Sequence, residues 1–152
     1  MKFSKKSEYA LKALVQLAMD HSKNVPATLI SDIAEREEIP QKYLENILLS
    51  LKNAGILEAK RGAGGGYYLN RSPKDITLGD ILRVIEGPLA LSNYSDPAQV
   101  SQSGEVSQSL DEIMDEVSDA ISGVLDTTFL FDVAERSMDL IEQKNKVLNF
   151  VI

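Results

Sequence analysis

No cysteine occurs among the 152 residues, and there is only one histidine. The first absence excludes disulfides, thiolate metal sites, cysteine nucleophiles and thiol redox sensing. The second removes most zinc constellations and the common catalytic triads. No catalytic pair at suitable spacing stands out either, so the expectation is a protein that is not an enzyme. No apolar run approaches the roughly 18 residues of a membrane-spanning helix. The N-terminus, MKFSKKSEYALKAL, is charged and periodic and lacks the apolar core of a signal peptide. A cytoplasmic protein of bacterial type, with no membrane partner, is expected. What is present is ordinary for a globular chain: 43% hydrophobic and 26% charged residues.

The net charge of −7 hides a split. Residues 1–71 carry 11 basic and 8 acidic side chains, whereas residues 72–152 carry 5 basic and 15 acidic ones. A mildly basic half joined to a strongly acidic one fits two differently solvated surfaces. It fits equally well a nucleic-acid module joined to an acidic assembly or sensor module.

Residues 5–20 have helical spacing, with Tyr9, Ala10, Ala13, Leu14, Leu17 and Ala18 on one face and Ser4 as N-cap. A polar break at 21–24 precedes a short helix carrying Leu29, Ile30, Ile33 and Ala34, with Thr28 as its expected cap. Ile39-Pro40 ends the following turn, and a helix over 41–54 stops at Gly55. Residues 56–60 and 67–69 then form short strands around the turn RGAGGG, a hairpin wing. Thr77-x-x-Asp80 opens a helix that Gly87-Pro88 stops. Residues 92–109 are rich in Ser and Gln and have no period. Helices over about 108–126 and 129–144 follow, and KVLNFVI is an apolar tail. The fold class expected is mainly α with a small β-hairpin wing. The divisions are a winged helix-turn-helix over 1–87, a loop or linker over 88–107, and a dimerisation helix with C-terminal helix and tail over 108–152.

Helix, short helix, turn, helix and hairpin are the parts of a DNA reader. In the 41–54 helix, Leu44, Ile47, Leu48, Leu51 and Ala54 face inward, which leaves Lys42, Glu45, Asn46, Leu49 and Asn53 outward. Such a face fits a major groove about 12 Å wide. Asn pairs bidentately with adenine, Glu accepts from cytosine N4, and Lys contacts guanine or phosphate. The glycine loop is not a nucleotide-binding loop, because no Gly-Lys-Ser/Thr follows and it leads into Tyr67-Tyr68 rather than a helix. As a wing tip it brings Arg61 to a minor groove or phosphate. Lys5 and Lys6 oppose the helix dipole, yet beside free helix-start N–H groups they form a phosphate site.

SKKSEYALKAL, IAEREEIPQKYLENILLSLKNAGIL, RGAGGGYYL and ITLGDILRVIEG, in this order, closely resemble the Rrf-two (Rrf2) family of bacterial winged-helix regulators. That family includes an iron–sulfur cluster regulator, a nitric-oxide-sensing repressor and a cysteine-metabolism repressor. The resemblance runs motif by motif over residues 1–91 and by helix pattern alone over 108–145. It implies a homodimer on palindromic double-stranded DNA, acting in transcription regulation, most simply as a repressor. The family's base-contacting positions fall on Lys42, Glu45 and Asn46, and its wing arginine on Arg61. The full candidate set is Ser4, Lys5, Lys6, Thr28, Gln41, Lys42, Tyr43, Glu45, Asn46, Lys60, Arg61, Gly62, Gly64, Gly65 and Tyr67.

Cluster-binding relatives carry three cysteines after the IEG motif, where this chain offers none. Hydroxyls do not replace thiolates, so no cofactor is expected. The remaining sensor is the 88–109 loop, which would take a small-molecule effector or a partner protein. In the 108–126 helix, Leu110, Ile113, Met114, Val117, Ile121, Val124 and Leu125 form the expected dimer seam, with acidic residues opposite. The residues alone leave open a second function, a winged-helix protein-interaction module that no longer binds DNA.

Overall fold

A computed structural model describes residues 2–91 and 104–151. The first helix, α1, spans Lys5–Ser22, and the Ser4 hydroxyl accepts the Ser7 N–H at 3.2 Å to cap it. Ala10, Ala13, Leu14, Leu17 and Ala18 are buried along its inner face, as the spacing predicts. Helix α2, Ile30–Glu37, corrects one expectation: its N-cap is Leu29, and no side chain caps it. Thr28 is extended instead, because its backbone pairs with Tyr67 in an isolated bridge and its hydroxyl donates to Asp20.

The turn into α3 (Gln41–Asn53) places Glu38 in left-handed backbone, φ +54°, before Pro40 at the α3 N-cap. Leu44, Ile47, Leu48 and Leu51 are fully buried. Ala54, expected to join them, is exposed, because the helix ends at Asn53 and the chain turns outward through Gly55 at φ +78°. Strands β1 (Leu57–Lys60) and β2 (Gly66–Leu69) pair antiparallel, with Leu57 opposite Leu69 and Lys60 opposite Gly66. Leu57 and Leu69 turn into the core and so root the wing.

Helix α4 (Leu78–Glu86) opens with the expected capping box: Thr77 Oγ1 accepts the Asp80 N–H at 3.0 Å, and Asp80 Oδ2 accepts the Thr77 N–H at 3.1 Å. Residues 92–103, the centre of the expected loop, lie outside the described residues. The next helix, α5, runs Glu105–Leu125, so residues 105–107 are helical rather than loop. Gly104 occupies the N-cap, and Glu105 is a favourable acid in the first turn. The last helix, α6, spans Leu130–Val151, so the apolar tail continues the helix instead of following it.

The turn between α5 and α6 is sewn to the segment before α4. The Leu78 N–H donates to the Thr128 carbonyl at 2.9 Å, and the Leu130 N–H to the Ile76 carbonyl at 2.8 Å. Arg83 grips Asp126 in a two-point ion pair at 2.7 and 2.8 Å. Leu130 and Ala134 then enter the same core as α1 and α3, and α6 lies against α1. Burial decides the effect of substitution on α3. Ile47→Ala should lower the unfolding free energy by about 2–5 kcal/mol in a urea titration. Leu49→Ala, two residues away and 52% exposed, should change it by less than about 0.5 kcal/mol.

Candidate nucleic-acid interface

The outward face of α3 carries Gln41, Lys42, Glu45, Asn46, Leu49 and Asn53, all exposed. Tyr43 is exposed as well and meets Tyr9 of α1 edge-on, with ring centroids 5.7 Å apart at 82°. The Lys5 ammonium lies 5.4 Å from the Tyr9 ring and 3.1 Å from the Glu8 carboxylate. Two aromatic rings therefore join the start of α1 to the start of α3 in one surface. Lys12, and after it Lys5, holds the Glu8 carboxyl below its ordinary range. Lys6 is half-buried beside them.

At the wing tip Lys60, Arg61, Gly62 and Gly64 are exposed. Gly62 and Gly64 have φ +86° and +73°, which side-chain-bearing residues rarely adopt. Gly65 is buried, and its N–H donates to the Gly62 carbonyl at 3.0 Å to close the turn. The strand that leaves the tip is clamped to the segment before α2. The Thr28 N–H donates to the Tyr67 carbonyl at 2.9 Å, and the Tyr67 N–H to the Thr28 carbonyl at 2.8 Å. Thr28 is 4% exposed and its hydroxyl donates to Asp20 Oδ2 at 2.6 Å, so it faces the interior while Tyr67 is half-buried.

Four side chains outside the expected set, those of Asp20, Arg36, Glu86 and Ser7, organise this surface together with Gly66. Asp20 is buried on the inner face of α1, where it also takes two hydrogen bonds from Arg36 of α2 at 2.9 and 3.1 Å. Glu86, at the end of α4, accepts the Ser4 N–H at 2.8 Å and the Ser7 hydroxyl at 2.6 Å. Ser4 thus has two tasks, capping α1 and holding α4. Gly66 passes so close to Thr28 that any Cβ would overlap the Thr28 carbonyl. For Asp20 and Ser7 the sequence does carry a signal: each falls in register with the apolar stripe of α1, where a polar residue needs a buried partner. Nothing local marks Arg36 or Glu86 as that partner.

The expected dimer seam divides in two. Leu110, Ile113 and Val124 are 54, 54 and 65% exposed, with Met114 and Val117 open beside them. Ile121 and Leu125 instead line a small apolar hollow with Phe3, Leu89 and Leu91 of their own chain. Ser118, buried on the same inner side, accepts the Leu91 N–H at 2.8 Å.

The sequence pattern of the family described as "Rrf2: Iron-dependent Transcriptional regulator" matches residues 3–136. The chain belongs to the Rrf2 family. It is 37% identical over 134 residues to the HTH-type transcriptional regulator CymR of Bacillus subtilis, covering 88% of this chain and 90% of CymR. It is 32% identical over 139 residues to the regulator IscR of Cereibacter sphaeroides, covering 91% and 90%. Its fold matches the solved structure of B. subtilis CymR, the global cysteine regulator, with a TM-score of 0.72 at 34% identity, over 90% of this chain and 98% of that one. The structure of IscR from T. potens matches with a TM-score of 0.70 at 34% identity, over 90% and 88%.

This member of the Rrf2 family is a DNA-binding transcriptional regulator with a winged helix-turn-helix. The iron in the family description finds no thiolate here, since the chain has no cysteine, and an iron–sulfur cluster does not fit the donors it offers. Among the described residues no three His, Asp or Glu side chains converge on a common point. No helix among them is long and apolar enough to cross a membrane.

The contact between α4 and α1 in this Rrf2 regulator should weaken as the Glu86 carboxyl is protonated. The hydrogen bonds from Ser4 and then Ser7 hold the Glu86 carboxyl below its ordinary value of 4.5. A depressed folded-state value means that its contribution is present above the unfolded value and is lost as pH falls through the folded one. Glu86→Gln should therefore melt below wild type at pH 7. The gap should close as pH drops below the carboxylate range, and calorimetry across that range checks it.

Proposed function

We propose that the chain is a homodimeric repressor that reads an inverted-repeat promoter site through α3 and the wing. The observation that carries this reading is the continuity of the exposed surface. The α3 face is tied to the start of α1 by Tyr9 and Tyr43, and the wing is tied to α2 by Thr28 and Tyr67. Residues 1–87 supply the DNA-reading part. Lys42, Glu45 and Asn46 meet base edges, Arg61 and Lys60 reach a minor groove or phosphate, and Ser4, Lys5, Lys6, Gln41 and Tyr43 border the groove. Gly62, Gly64 and Gly65 shape the wing tip. Thr28 and Tyr67 act from behind by fixing the wing.

Residues 108–152 supply assembly, with α5 pairing across a two-fold axis through Leu110, Ile113, Val117 and Val124. Together with Val106 these follow the three-four spacing of a helix–helix seam. No basic residue occurs in α5, and its acidic side chains keep DNA on the far side of the dimer. Residues 88–107 connect the parts. The signal, a small molecule or a partner protein, acts where Leu89 and Leu91 meet α5, so that occupancy shifts one reading head relative to the other. The protein works in the cytoplasm, without catalysis and without a cluster.

Two experiments test this. Wild type should sediment as a dimer at micromolar concentration, and Ile113→Asp with Val117→Asp should give folded monomers that no longer bind operator. Asn46→Ala should cost about 1–3 kcal/mol on a selected operator and relax preference at one base pair per half-site. Arg61→Ala should weaken binding evenly across sequences and reduce the salt slope by about 1 per half-site if it contacts a phosphate. A monomeric wild type refutes the assembly, and unchanged affinity in both readout variants refutes the interface.

A further inference from the structure

Leu49 is an aliphatic side chain in the middle of a polar surface. Glu45 and Asn46 stand one turn before it and Asn53 one turn after, and all are exposed. Its own exposure is 52%, whereas Ile47, Leu48 and Leu51 on the same helix are fully buried. The core side of α3 is complete without it, and the ring contact between Tyr9 and Tyr43 lies nearer the start of the helix. An isolated exposed leucine on a random surface needs no explanation. Here the position matters, because Leu49 lies one turn beyond Glu45 and Asn46 on the helix face proposed to enter the major groove.

The base edges of that groove offer polar groups at every base pair and one apolar group, the C5-methyl of thymine. Leucine has no donor or acceptor. Pressed against a guanine, adenine or cytosine edge, it strips water from polar atoms and returns nothing. Pressed against a thymine methyl, it buries two apolar surfaces together. We infer that Leu49 is a specificity residue that selects a thymine by its methyl group, one in each half of the operator. This rests on α3 reading DNA and goes further, since it fixes the chemistry of one base that no hydrogen-bonding side chain reports. Cytosine is the base rejected most directly, because it replaces methyl and O4 by hydrogen and the N4 amino donor.

The test uses the full chain and duplexes enriched from a random pool. Each thymine of the enriched site is replaced in turn by deoxyuridine, which removes the methyl group and leaves every hydrogen-bonding atom in place. At one symmetry-related pair of positions the wild type should lose affinity about fourfold per half-site, the equivalent of one buried methyl group. Leu49→Ala, whose folding a melting curve confirms, should bind the thymine and uracil duplexes alike at that pair. Its sensitivity at other positions should stay as in wild type. A site at which no thymine is methyl-sensitive, or at which Leu49→Ala keeps the full sensitivity, overturns the assignment and leaves DNA reading by α3 intact. Failure to enrich any sequence overturns the reading on which it rests.

Discussion

A buried carboxylate sets the spacing between the helix-turn-helix and the wing, the two parts proposed to meet DNA. Asp20 sits on the inner face of α1 and binds Thr28, just ahead of α2, and Arg36 within α2. Thr28 in turn holds Tyr67 through two backbone hydrogen bonds, so the wing leaves the domain at a fixed angle to the helix-turn-helix. Hydrogen bonds to a charged group are the stronger kind, and a buried acid deprived of its partners is costly. Gly66 permits the close approach by having no Cβ. A two-stranded hairpin is marginal in water by itself. Here its root is buried through Leu57 and Leu69 and its flank is clamped, so only the tip stands free of the domain.

The C-terminal half contributes to the core of the N-terminal one. Leu130 and Ala134 close the core over α1, and Arg83 with Asp126 fixes where α5 leaves it. The ion pair thus joins the end of α5 to α4, and Glu86 joins the end of α4 to the Ser4 cap of α1. The largest share of the acidic excess of this half sits on α5, away from the face proposed to read DNA, so a net charge of −7 is compatible with nucleic-acid binding.

Much of this was legible in the residues. The inner faces of α1 and α3, the hairpin around its glycines and the capping box at Thr77 follow from local spacing and local chemistry. Thr28 misled because Thr before an apolar run looks like a cap, while its actual partners lie on α1 and β2. The start of α5 at Glu105 is obscured by the serines around it, because serine favours caps and turns over helix interiors. The continuation of α6 to Val151 is not visible locally, because KVLNFVI has the composition of an apolar tail. The division of the α5 stripe, with Ile121 and Leu125 turned inward, depends on where Phe3 and Leu89 lie, and no helical period records that. The same holds for Arg36 and Glu86, whose partners are 16 and 82 residues away.

Sequence-specific recognition by a dimer presenting α3 and the wing is measured most directly as the ratio of dissociation constants for an enriched duplex and a scrambled duplex of equal length, by fluorescence anisotropy at one physiological salt concentration. The enriched duplex should bind at least about 1,000-fold more tightly, the lower end of the range for specific regulators. Equal affinities for the two duplexes would contradict it.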